Sequence, residues 1–141
     1  MFSEPAVVTY TLSEPYEAAL ARVRSALHKH GLRTAMELDV AGRIRSELGA
    51  GVAPCTVIYV DDPAVLLEAA VFHRGAALLI PQPVVVTGDQ WQSEALVRNM
   101  DVRQGGIPES VRDPFADLQR RITLSMESIA EPHTAPLASI A

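Results

Sequence analysis

The sequence has a single cysteine, Cys55, so no disulfide can close within the chain. It also lacks a basic excess. Twelve Lys and Arg stand against seventeen Asp and Glu, a formal net charge of -5. A nucleic-acid surface needs a basic stripe to displace counterions from phosphates. Arg43 with Arg45, and Arg120 with Arg121, instead sit among acidic and apolar neighbours and read as solvated helix faces. Long apolar runs are missing as well. Ala64 to Phe72 and Ala76 to Ile80 fall well short of the roughly 20 residues that cross a bilayer. Met1 to Pro5 shows no basic region followed by an apolar run, so no secretory signal is expected. These absences predict a soluble, cytoplasmic protein with no nucleic-acid or membrane partner. The glycine-containing loops Gly49-Ala50-Gly51 and Gly105-Gly106 lack phosphate-loop spacing, and no cofactor or metal motif is present.

What is present is an ordinary globular composition: 141 residues, 48% hydrophobic and 21% charged. A chain of this size can bury well over half its unfolded surface in one core, without disulfide or metal. No internal repeat or linker divides it. The expectation is one α+β domain over residues 1–130 and a disordered Ala-, Pro- and Ser-rich tail over 131–141.

Hydrophobic periodicity predicts the order β-α-β-α-β-α-β-β-α, a mixed β-sheet with helices packed on it. Val7 to Leu12 reads as a strand, and Ser13 as the N-cap of a helix with Tyr16, Leu20, Val23 and Leu27 on one stripe. Gly31 ends that helix. Leu32 to Leu38 alternates as a half-buried strand, and Asp39 caps a short helix that closes at Gly49. Pro54 to Val60 is a further strand. Asp62-Pro63 opens a helix that is apolar almost all round to His73, and a second subunit is a natural cover for such a helix. Ala76 to Thr87 reads as a strand interrupted by Pro81 and Pro83, hence at an edge or bulged. Gly88-Asp89 turns it into a hairpin partner, Trp91 to Met100. Gln104 to Pro108 is a loop, and Asp113-Pro114 starts a last helix with Phe115, Leu118, Ile122, Met126 and Ile129 on one face.

Taken in order, certain of these segments resemble the domain of unknown function 302 family. They are His30-Gly31-Leu32 at a helix end, Glu37-Leu38-Asp39-Val40, Leu48-Gly49, Asp61-Asp62-Pro63, and Leu78 to Pro81 leading into Val84-Val85-Val86. The resemblance covers the chain from the first strand to the last helix. It implies a compact α+β domain that forms a homodimer, and it implies no established reaction. Many members carry Cys-Asn-Pro where this chain has Asp61-Asp62-Pro63, and Leu-Pro-Cys where it has Ile80-Pro81-Gln82. Any thiol or thiolate-metal role at those positions therefore does not carry over.

Candidate chemistry is sparse. Asp61 and Asp62 can form a ligand-binding or general-base pair at the strand ends; capping of the helix by Asp62 is the structural alternative. Glu37 and Asp39 join them if their strands are neighbours, and such a cluster suits a hard cation or a raised pKa. His28 and His30 are two apart on a helix and cannot chelate together. His73 adjoins Gly75 and the strand that carries Gln82, and is the best single candidate for chemistry. Cys55 reads as a structural thiol. The expected function is a non-enzymatic, homodimeric domain that binds a small ligand or a protein partner, with the ligand between Asp61, Asp62, His73 and Gln82. The alternative is a small enzyme using Asp61, Asp62 and His73 as acid–base groups.

Overall fold

The computed structural model describes residues 6–103, 106–137 and 140. Six strands form one sheet: β1 (Ala6–Leu12), β2 (Arg33–Asp39), β3 (Cys55–Asp61), β4 (Gln82–Gly88), β5 (Ser93–Asn99) and β6 (Pro132–Pro136). Four helices accompany them: α1 (Tyr16–Lys29), α2 (Val40–Leu48), α3 (Pro63–Phe72) and α4 (Glu109–Glu127). The spatial order is β2-β3-β4-β5-β1-β6. The fold is α+β, and all five ladders are antiparallel rather than of mixed direction. The β3–β4 connection does contain a helix, but it returns the chain antiparallel instead of crossing over.

Alternation along the strands sends one set of side chains inward. Val8, Tyr10 and Leu12 of β1, Ile58 and Val60 of β3, Val84 and Val86 of β4, and Ala95 and Val97 of β5 are buried. Onto them pack Leu20, Val23 and Leu27 of α1 and the stripe Val111, Phe115, Leu118, Ile122 and Met126 of α4. α3 packs on α4, and α2 lies against β3. None of the described helices is long and apolar enough to cross a membrane.

Local signals hold where the acceptor or the conformation is local. Asp39 caps α2, its Oδ1 accepting from Gly42 N at 2.9 Å. Gly31 and Gly49 take positive φ, 76° and 69°, where a side chain is strained. Elsewhere the tertiary setting overrides the expected element. Ser13 does not cap α1. The cap position falls at Pro15 without a side-chain bond, and the Tyr16 amide donates at 2.9 Å to Asp89 O in the distant β4–β5 turn. β2 is exposed almost throughout rather than half-buried, because it is an edge strand. The expected 76–87 strand is a 3₁₀ helix, Arg74–Leu78, then a cis Ile80–Pro81 bond, then β4. β4 is also central, between β3 and β5, not at an edge. Pro83 is accommodated there because β4–β5 pairing starts one residue later, at Val84↔Val97. Trp91 lies in the turn, exposed, where Asp89 Oδ1 accepts from the Trp91 and Gln92 amides. α4 starts at Glu109, four residues before Asp113, so Pro114 is inside it. Starting there places Val111 on the buried stripe with Phe115. The stretch expected to be disordered includes β6, antiparallel to β1 from Ala6↔Pro136 to Tyr10↔Pro132.

Candidate functional site

The start of α3 gathers most of the residues singled out from the sequence. Pro63 takes the first helical position, and Asp62 caps the helix, Oδ1 accepting from Ala64 N at 2.9 Å. The other oxygen, Oδ2, accepts from Arg121 Nη1 of α4 at 2.5 Å, and Arg121 Nη2 donates to His30 O at 3.1 Å. One guanidinium thus ties the start of α3 to the end of α1. Arg121 holds the Asp62 carboxyl below the usual carboxylate range, burial opposing it. Its neighbour Asp61 is buried at the end of β3. Burial pushes that carboxyl up, and the Asp62 charge adds to the effect.

Gln82 opens β4 at 1% exposure, and among the described residues its Nε2 has no hydrogen-bond partner. The register pairs it with Val60, one residue from Asp61, so the ladder brings Asp61, Asp62 and Gln82 to one end of the sheet. His73 is not brought there. It is the exposed C-cap of α3, and that helix of ten residues at about 1.5 Å per residue puts roughly 15 Å between His73 and the Asp62 end. Glu37 and Asp39 do not join the group either. Asp39 pairs with Thr56 and Glu37 with Ile58, whereas Asp61 pairs with Arg33, so along β3 the two acids lie roughly 17 and 10 Å from Asp61.

Those two acids instead border a second site, which the sequence reading did not find. A cleft of about 340 Å³ opens between α1, α2, β2 and β3. The Tyr16 hydroxyl makes a short hydrogen bond to Thr56 Oγ1 on one wall. Arg24 donates from Nε and Nη2 to the two Glu37 carboxylate oxygens, at 2.8 and 2.5 Å, on another. Glu17, Asp39 and Arg45 add to the polar lining. Burial raises the Tyr16 phenol, so it stays a neutral hydrogen-bonding group. The lining suits holding a small polar molecule. It contains no histidine or cysteine to carry a proton or act as a nucleophile near neutrality. Tyr16 and Thr56 are forty residues apart, and Tyr16 falls on the apolar stripe of α1, so no local pattern marks the cleft. Among the described residues no three His, Cys, Asp or Glu side chains are grouped to hold a metal ion.

Comparison with known proteins adds the family. Residues 8–123 match the sequence profile described as "Domain of unknown function DUF302". The fold is similar to the crystal structure of an uncharacterized conserved DUF302 protein from Bacillus stearothermophilus. The TM-score is 0.72 at 14% identity, covering 86% of this chain and 97% of that one. No curated protein matches the sequence. The profile covers most of the chain and the known structure shares its fold: the protein belongs to the DUF302 family.

Proposed function

We propose that the protein is a non-enzymatic binding domain that works as a homodimer, self-associating through α3 and holding a small ligand or partner elsewhere on its surface. The observation that carries the dimer is the outer surface of α3 and the 3₁₀ helix after it. Of α3 only Val65 and Ala69 are buried, while Leu67, Val71 and Phe72 are 66, 71 and 62% exposed and Leu78 is 90% exposed. Four large apolar side chains within twelve residues form the kind of surface that marks an interaction site. The non-enzymatic reading is supported by how the acid–base candidates are used. Both Asp62 oxygens are engaged in capping and ion pairing, and His73 stands at the far end of α3.

Light scattering at micromolar concentration tests the dimer. The expected mass is about twice the 15.2 kDa of the chain. Leu67→Glu combined with Phe72→Glu is expected to halve it without unfolding the protein, since neither side chain is in the core. A wild-type monomer overturns the reading.

A further inference from the structure

The face of the sheet opposite the core holds a cavity that neither the dimer nor the polar cleft uses. It has a volume of about 190 Å³. The ladder registers explain its composition. Val85 pairs with Leu96 and Val7 with Arg98, so Val7, Val85, Leu96 and Arg98 project from adjoining strands, with Pro83 two residues before Val85. Leu137 and Ile140, beyond β6, contribute to its lining from the C-terminal side. Among the described residues, every lining side chain is a hydrocarbon except Arg98.

Arg98 is the anomaly. Its Nε is buried, and among the described residues it has no hydrogen-bond partner and the guanidinium forms no ion pair. An N–H of a charged group sealed from water without an acceptor is costly, and a guanidinium fork matches the two oxygens of a carboxylate. An apolar chamber of roughly 150 Å³ is large enough to take benzene. A chamber of about 190 Å³ beside a guanidinium whose buried Nε lacks an acceptor among the described residues therefore fits an apolar body of roughly six to eight carbons with one carboxylate at its edge.

We propose that this cavity is a binding site for a small organic acid with an apolar tail, its carboxylate accepting from Arg98 and its tail lying over Val85 and Leu96. The proposal goes beyond the dimer reading, stands independently of it, and concerns the face of the sheet away from α3.

Hexanoate and benzoate are the probes, with hexanol as the neutral isostere and acetate as the head alone. At ten times its Kd, hexanoate is expected to raise Tm by about 4 °C. Hexanol is expected to bind at least tenfold more weakly, and acetate to give no shift. Amide resonance perturbations by hexanoate should centre on Val85, Leu96 and Arg98. Arg98→Met should remove the preference for hexanoate over hexanol, and Leu96→Trp, which fills the chamber, should abolish both. Equal affinity for hexanol and hexanoate on the wild-type protein overturns the role of Arg98. Perturbations centred elsewhere, or no binding by hexanoate and benzoate, overturn the site. Because the hexanoate–hexanol comparison needs only the wild-type chain, the outcome does not depend on either variant folding.

Discussion

The chain contains the dipeptide Asp-Pro twice, and the two copies do different work. Asp62-Pro63 is a helix start: the carboxylate caps α3 and the proline sits where its missing N–H costs nothing. Asp113-Pro114 lies within α4, with Asp113 exposed and Pro114 buried. Its ring nitrogen falls opposite the Ser110 carbonyl, the acceptor position of a regular helix. The same letters carry the same local preference at both places. What differs is the alternative open to the chain. Before Pro63 lies β3, committed to two ladders, so a helix cannot extend backwards. Before Pro114 lies Val111, whose burial is worth about 2 kcal/mol and favours starting the helix early.

The largest expected effect of breaking this comparison is at Asp62. Asp62→Ala loses the cap, about 1 kcal/mol, and also the half-buried bond to Arg121, for a total of about 2 kcal/mol by denaturant unfolding. Asp62→Asn should recover only the cap share, because Arg121 then keeps only its longer ion pair, 3.6 Å to Asp117. The sign with pH follows from the lowered pKa. The ion-pair contribution is full above the unfolded-state value near 4 and is lost as pH falls through the folded value, so wild type and Asp62→Asn should converge in acid. Asp61 runs the other way. Its raised pKa means stability is lost as pH rises through the folded value, so Asp61→Asn should stabilise the protein at pH 7. Equal stability of Asp62→Ala and wild type would remove the capping account.

The next effect is smaller and differs in sign between the two copies. Pro114→Ala restores an N–H inside a helix and should stabilise by about 1 kcal/mol after the loss of some buried ring surface. Pro63→Ala frees the unfolded chain and should destabilise by about 0.5 kcal/mol. A melting comparison of the two variants reads the difference directly, and equal signs would show that position in the helix is not what separates them. Smallest is Asp113→Ala. An exposed side chain that caps nothing should change stability by less than about 0.5 kcal/mol. A loss as large as that of Asp62→Ala would mean that Asp113 has a partner after all.

The same division runs through the rest of the molecule. The Asp39 cap and the left-handed glycines 31 and 49 were legible because each depends on residues within three or four positions. That Asp61, Asp62 and Gln82 lie at one end of the sheet was legible in part, since β3 leads into α3 and β4 follows. The exclusion of His73 from that end was not, because it rests on the length of α3 and on the 3₁₀ turn that replaces a longer strand. Nor was β6. A segment of Pro132, His133, Thr134, Ala135 and Pro136 has weak strand preference of its own, and only the open edge of β1 gives it a ladder. The polar cleft was hidden for the same reason. Tyr16, Thr56, Arg24 and Glu37 are individually ordinary, and they meet only once four elements pack.

By itself, then, the sequence determined the α+β class, the order of the elements from β1 to α4, the caps Asp39 and Asp62, and the buried stripes of α1 and α4. These follow from periodicity and short-range hydrogen bonding, which act between residues close along the chain. The tertiary structure alone decided which strands lie at the edges, where α4 begins, that β6 completes the sheet, and which polar groups share a site. Those outcomes depend on contacts between residues forty to more than a hundred positions apart, as between Tyr16 and Thr56 or Thr9 and His133, and no local pattern encodes them.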